Sequence, residues 1–480
     1  MEKWFKKKHI SAESVSAIFI IILISLFIAA NFVAGFTWPL FILAMAAGFL
    51  LSLVYPRSGV LAIVFLTMVW ERFFTLQTFF IGKIEYKIYP LDFLLGGVLI
   101  GALVQYVFGR IKIEFKKADW ILSGFVVLNI IYFVFSFLIL KSNAQLAFSS
   151  LKNYAFYSLL YFVTIMLFQK IDDIKRLFRF FLSGAAVIVI FIVIGYVGGE
   201  GLWSGYTPLS TSGVRKLAFT HGLYLSLAFF PAMLWLIFRR KDEKMKMKML
   251  HLFLLIWIIG IVGTLMRHLW IAMACTFLLL ILFLPKEKKK EMAKLVFKLL
   301  MPFAIAGIFI FYIASMNPQS NFSRALEKSS GIVSERAVSL VSSEEDESFS
   351  WRSLVWKNAY EDFKSNPIFG IGTGERIYVE SKNYKDFIEG RNIHNSYLAV
   401  LIQLGVLGIA MLLLFIFLNV RSLLFSKRGG QYDFYKFSIL SVLAIYILSI
   451  PFQPYLETNL LAIFFWIALG LSRILPEVKS

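Results

Sequence analysis

From Val15 to about residue 474 the sequence is a succession of apolar runs, most near the ~20 residues that an α-helix needs to cross a ~30 Å hydrocarbon core. The candidate cores are roughly 15–34, 38–54, 59–75, 88–109, 120–140, 149–168, 177–197, 217–238, 249–266, 268–284, 297–315, 395–420, 435–451 and 458–474. They predict an all-α polytopic membrane protein with about 12–14 transmembrane helices, because inside lipid only a helix or a closed barrel satisfies its own backbone polar groups. Composition agrees: 59% of residues are hydrophobic and 16% charged, against ~45–50% and ~25% in soluble domains. The first run, after MEKWFKKKH, imitates a signal peptide. Its length, and a second run starting at Trp38, read instead as an uncleaved first helix. Residues 1–315 then carry helices one to eleven, 316–394 form one large hydrophilic loop with an amphipathic helix at 350–366, and 395–480 carry helices twelve to fourteen.

The chain has 49 basic and 29 acidic residues, a net charge of +20, which in a soluble protein would suggest nucleic acid as a partner. Here lysine and arginine fall into alternate loops: Lys3 to Lys8, Arg57, Arg110 to Lys117, Lys170 to Arg179, Arg239 to Lys248, Lys286 to Lys298 and Arg421 to Arg428. The positive-inside rule makes these loops and both termini cytoplasmic. Segment 316–393 holds ten basic and twelve acidic residues, so it is net −2 while the remainder is +22, and it is expected to face outward. Orientation accounts for the charge, and nucleic acid drops out as a partner. The single cysteine, Cys275, excludes an internal disulfide, a thiolate zinc site and an iron–sulfur cluster, and five scattered histidines argue against a histidine metal cluster.

One stretch constrains the topology further. Met249 to Leu284 is apolar apart from a few residues, chiefly Thr264, Arg267 and His268, and as one helix it would run ~54 Å. Both flanks, RRKDEKMKMK and KEKKKEMAK, are basic and expected inside, which requires an even number of crossings. The stretch is therefore predicted to be a hairpin of two short helices with Arg267 near its apex. The alternative leaves Arg267 at mid-membrane, at a cost of roughly 2.5–3.5 kcal/mol.

By the same count Gly198 to Lys216 is an outward loop and Phe452 to Glu457 an outward turn. The outer face thus collects Arg215, Arg267, Arg352, Arg376, Arg391 and His394. Within the large loop, Trp351, Val355, Ala359 and Phe363 recur at helical spacing, with Ser350 as a cap, Arg352 in the first turn and Pro367 as the stop. The serine- and acid-rich stretch 321–347 lacks such periodicity. IFGIGTG follows, with Gly370, Gly372 and Gly374 predicting tight turns; direct contact of their N–H groups with a phosphate is the alternative. His394 and Asn395 stand at the start of the next apolar helix, where free N–H groups favour an anion. Glu71 and Arg72 form a candidate structural pair near an outer helix end.

Taken together these elements resemble the O-antigen ligase and polymerase family of membrane glycosyltransferases. The resembling features are Thr264 to Arg267, where the family often has T-x-S-R; Arg352 with Trp356; NPIFGIGTG; and HNSYLAVLIQLGVLG. They run from about Gly263 to Ala410, and the amino-terminal half corresponds only as a set of apolar spans. The resemblance implies a C-type glycosyltransferase-like bundle in the cytoplasmic membrane with its active site outward. It also implies an undecaprenyl-diphosphate-linked glycan as donor and an acceptor hydroxyl on a lipid A core or another glycan, without a metal ion, other cofactor or sugar nucleotide. It maps the diphosphate-binding arginines onto Arg267 and Arg352 and the catalytic histidine onto His394; Arg215 is added from topology alone.

The residue types suit that chemistry. Guanidiniums bind a diphosphate bidentately and stabilise its charge as it leaves, and a neutral imidazole can take the proton of an attacking hydroxyl. Each residue also has an ordinary reading. Arg215 can meet headgroup phosphates or Glu200, Arg267 can reach to the interface, and Arg352 can pair with Glu347 or Glu361. His394 can merely start a helix, and His268 can simply pack. At the level of function the alternatives are a polymerase joining lipid-linked repeat units and, from a different class, a flippase for lipid-linked sugars. A flippase would favour repeated spans and polar residues at the bilayer midplane, neither of which the sequence displays.

Overall fold

The computed structural model describes residues 11–71, 78–81, 84–198, 215–238, 244–317, 347–381, 384–426, 431–458 and 460–478, with scattered positions (319, 320, 323, 327, 330, 331, 334 and 429) besides. The chain is all-α and polytopic. Its helices are α1 (Ala12–Ala34), α2 (Trp38–Val54), α3 (Pro56–Trp70), α4 (Pro90–Val107), α5 (Lys117–Leu138), α6 (Ala144–Leu151), α7 (Leu159–Leu167), α8 (Ile171–Val197), α9 (Phe219–Phe238), α10 (Lys244–Gly263), α11 (Arg267–Phe283), α12 (Lys286–Met316), α13 (Glu347–Ser365), α14 (Ser396–Leu424), α15 (Gln431–Ser449) and α16 (Ile463–Ile474). Two short antiparallel hairpins accompany them: β1 (Thr78–Ile81) with β2 (Ile84–Lys87), and β3 (Ile377–Ser381) with β4 (Tyr384–Ile388). Among the described residues eight helices are long and apolar enough to cross a membrane and four apolar helices are shorter.

The two other expected spans are changed by polar side chains. Span 149–168 is divided by a π-helical turn, Lys152–Phe156, between α6 and α7. Lys152 there is buried against Asp92 at 2.5 Å, and Tyr157 donates to the same carboxylate at 2.7 Å. Widening the turn aims these groups inward, where each finds the partner that a low-dielectric interior requires. The last span contracts to α16, because residues 455–457 and 460–462 are occupied by turns, with Leu460 at φ 70°. A third difference is α12, where the expected basic loop 286–298 continues the helix of the following span; Met292, Leu295 and Leu299 are buried along it.

The core forms where α2 packs on α4, α3 on α8, α9 on α15, α7 on α16 and α5 on α14. Glycines allow the closest approaches: a Cβ at Gly101 would meet the Leu53 carbonyl at 2.3 Å. Two charged clusters tie helices together, one across α1, α3 and α8 and the other between α5 and α16. Arg57 bonds Glu13 at 2.9 Å, Arg176 bonds Asp173 at 2.5 Å, and Arg473 bonds Asp119 at 3.3 Å with both side chains buried.

The stretch expected to form a hairpin is broken sharply where the two short helices were expected to meet. Helix α10 stops at Gly263, α11 restarts at Arg267, and Leu265 between them takes φ 55°. Across the break the Trp270 indole N–H lies 3.5 Å from the Ile261 carbonyl. Arg267 is thus the first residue of α11. Helix α13 starts at Glu347, three residues before the expected cap Ser350, and ends at Ser365. Its expected face is buried: Val355 and Ala359 are inaccessible, and with Trp351 and Phe363 they cover β3, β4 and the start of α14. The remainder of the serine-rich stretch, Glu200 and Arg72 lie outside the described residues, apart from the scattered positions named above.

Candidate active site

Four segments far apart in sequence converge at one end of the bundle. The first is the strand of chain leading into α9. Lys216 N–H donates to the Gly263 carbonyl at 3.0 Å, which seats Arg215 beside the α10–α11 break. The second is that break itself, with Arg267 and His268. Thr264 is buried and donates back to the Ile261 carbonyl at 2.6 Å. Its side chain also presses on α9, where a Cβ at Gly222 would meet Thr264 Cγ2 at 2.5 Å. A small hydroxyl residue here therefore closes α10 and sets its distance from α9.

The third segment is α13. Trp356, one turn after Arg352, donates its indole N–H to the Ile393 carbonyl at 2.8 Å. This bond ties the arginine helix to the residue preceding His394, a physical reason for an arginine and a tryptophan four residues apart. The fourth is the loop from β4 into α14. A short 3₁₀ turn, Gly390–Ile393, ends at His394, which takes the left-handed backbone conformation at φ 54° and ψ 31°. That conformation is uncommon for a residue with a side chain. Here it is held from both sides, by Trp356 on Ile393 and by Asn395, whose side chain caps α14 by accepting from Leu398 N–H at 3.1 Å.

The convergence is visible in the electrostatics. The charges acting on His268 are, in order, Arg352, Arg215, Arg267 and His394, and Arg352 is also the charge felt by His394 and Tyr455. All four sequence-predicted site residues thus belong to one constellation. Of the other arginines expected to face outward, Arg391 is exposed and bonded to Glu389 at 2.6 Å, and Arg376 is exposed. Glu361, a possible partner of Arg352, is instead bonded to Lys364 at 2.9 Å. Burial, and then the Arg352 guanidinium, push the His394 imidazole down to about 4, while a hydrogen bond with the Gln453 side chain works in the opposite direction. The ring is therefore neutral at physiological pH, and its Nδ1 is buried without a hydrogen-bond partner among the described residues.

Sequence reasoning did not single out the turn that completes the site. In FQPYLE, Gln453 reaches His394, and the Tyr455 hydroxyl lies 2.7 Å from His268 Nε2. Two polar side chains flanking a proline, in a turn expected to face outward, were the available signal. The glycine run resolves toward turns. Gly370, Gly372 and Gly374 all have positive φ, but the N–H groups of Gly370, Ile371 and Gly372 donate to the carbonyls of Asn366, Ile402 and Gln403. Among the described residues no three His, Cys, Asp or Glu side chains are grouped to hold a metal.

No curated protein matches the chain. Residues 251–413, which carry Arg267, Arg352 and His394 but not Arg215, match the family model described as O-antigen ligase. Through this segment, about a third of its length, the chain is similar to the O-antigen ligase family.

Proposed function

We propose that the protein transfers a glycan from undecaprenyl diphosphate to a sugar hydroxyl of an acceptor, a lipid A core or another glycan, at the outer face of the cytoplasmic membrane. Arg267, Arg352 and Arg215 bind the donor diphosphate, and His394 is the general base. The single observation that carries this reading is the convergence of three guanidiniums and a neutral imidazole from four separate segments.

In the reaction, the acceptor oxygen forms a bond to the anomeric carbon of the donor sugar. The bond from that carbon to the diphosphate oxygen breaks, the hydroxyl proton passes to an imidazole nitrogen of His394, and undecaprenyl diphosphate leaves. The departing charge develops on the phosphate oxygens, where preformed cations stabilise the transition state more than the ground state. Arginine suits this position because it stays charged and presents a planar fork to phosphate. Burial and then Arg352 keep His394 neutral, so one of the groups that hold the donor also prepares the base that activates the acceptor.

The test is purified protein in lipid with a lipid-linked glycan and candidate acceptors, read by product size. One shifted band per acceptor is the expected result for a ligase. A ladder of repeat units identifies a polymerase, and no transfer to any acceptor overturns the reading. Transfer is expected to persist in EDTA; loss restored by one divalent ion would overturn the metal-free assignment.

A further inference from the structure

Behind the His394 loop, on the side of the π turn, lies a cavity of about 110 Å³. Its wall includes Gln145 and Phe148 of α6, Asn153 of the π turn, Gln403 of α14, and Glu457. The cavity shares two structural pieces with the site. The Gly390–Ile393 turn that ends at His394 forms part of its rim, and the turn carrying Gln453 and Tyr455 continues to Glu457. Glu457 accepts hydrogen bonds from Tyr154 at 2.5 Å and from Ser396, two residues beyond His394.

The lining chemistry excludes the donor diphosphate. Its two cations are neutralised at short range, Lys152 by Asp92 and Arg391 by Glu389, while Glu375, Glu389 and Glu457 all border the space. Acids outnumber bases, which disfavours a phosphate. What remains is a mixture of amides and carboxylates beside two aromatic rings, Phe148 and Tyr154, the complement of a ring compound with hydroxyls at its edge and C–H groups on its face. One buried polar atom stands apart. Asn153 donates its amide N–H to the Glu457 carbonyl at 2.6 Å, yet its Oδ1 has no hydrogen-bond partner among the described residues although the residue is only 2% exposed. Asn153 borders the cavity, and an orphaned buried amide oxygen on such a residue is satisfied by a hydroxyl or amide donor.

We propose that this cavity is the subsite for the acceptor sugar, holding a neutral or amino sugar ring through Asn153, Gln403, Gln145 and Glu457 so that its hydroxyl is presented at His394. The assignment rests on the proposed glycosyl transfer. It gives the buried π turn a role in binding and divides the site into a cationic half for the diphosphate and an uncharged or acidic half for the sugar. Gly390 belongs to the same device: a Cβ there would meet Gln403 Nε2 at 2.3 Å, so a side chain would displace the amide from the cavity wall.

The test uses the full-length protein in nanodiscs, with saturation-transfer NMR on a panel of free neutral hexoses, N-acetylhexosamines and amino sugars, and inorganic diphosphate as the contrasting probe. At least one sugar is expected to bind wild type and Arg352→Lys alike. Gln403→Leu and the milder, partly exposed Gln145→Leu are expected to weaken it about tenfold, the scale of one or two lost hydrogen bonds. Diphosphate binding should show the reverse pattern. In transfer assays the cavity variants should raise the acceptor KM by a similar factor, with turnover at saturating acceptor and donor retention unchanged. Absence of sugar binding to wild type, or binding undiminished in Gln145→Leu and in folded Gln403→Leu, overturns the subsite. Sugar binding with the expected variant pattern but no transfer from any lipid-linked donor would retain the subsite and reject the glycosyl-transfer reading instead.

Discussion

His394 has an unusual backbone, a half-buried ring and a depressed pKa, and each property has a separate cause. The left-handed φ comes from the junction of a 3₁₀ turn with a capped helix, and the neutral ring comes from burial and Arg352. If it is the base, His394→Ala should leave donor retention intact and reduce transfer by about 10²–10⁴. Its protonation in the folded protein falls near pH 4, so transfer should be insensitive to this group from about pH 5 upward and decline below. The stability sign follows from linkage. Between an ordinary histidine pKa of ~6.5 and about 4 the unfolded chain binds more protons than the folded one, so His394 destabilises the fold as pH falls through that window. Glu457 has the opposite sign. Burial raises it to about 7, so between ~4.5 and 7 the folded chain binds more protons and stability falls as pH rises. Glu457→Gln keeps an acceptor for Tyr154 and should flatten the melting temperature between pH 5 and 8; an unchanged pH profile would contradict the raised pKa. Arg352→Lys retains charge without the fork, and is expected to lower turnover far more than protein level, as read by transfer rate per folded molecule.

At the scale of elements, the loop 366–374 and the kink in α14 are one structure. Helix α14 departs from helical geometry at Gly405, φ 67° and ψ −169°, and the loop enters the break. Val406 N–H donates to the Pro367 carbonyl at 2.9 Å, and Ile371 N–H donates to the Ile402 carbonyl at 2.8 Å. Groups freed by the kink are thus satisfied by the loop, which an apolar environment demands. A Cβ at Gly405 would meet the Ile368 carbonyl at 2.1 Å. Gly405→Ala combines this overlap with a backbone region nearly reserved for glycine, so it should cost ~3 kcal/mol or more and be read as a lowered melting temperature in detergent. Two segments, NPIFGIGTG and QLGVLG, thereby become a latch that holds the start of α14, and with it His394, against α13.

Across the whole molecule, polar chemistry is segregated. Arg57, Glu13, Asp173 and Arg176 form one ion cluster and Asp119, Arg473 and Glu477 another, while Arg215, Arg267, Arg352 and His394 gather separately. The proposed sidedness assigns the cationic cluster to the outer face. In a Cys275→Ala background, a cysteine at exposed Arg391 should react with a membrane-impermeant maleimide on intact spheroplasts, and one at exposed Lys290 should not. Labelling at 290 alone would invert the topology.

The helical membrane class, the break before Arg267 and the buried face of α13 were legible in the sequence because each depends on a local pattern. Span length, flanking charge and 3.6-residue periodicity are all read from neighbours along the chain. The split of span 149–168, the latch at Gly405, the Tyr455–His268 contact and the cavity behind His394 were decided only in three dimensions. Lys152 and Asp92 are 60 residues apart, and Tyr455 and His268 are 187 apart. In an apolar interior a polar side chain is tolerable only beside its partner, and no pattern of nearby residues announces a partner contributed by another helix.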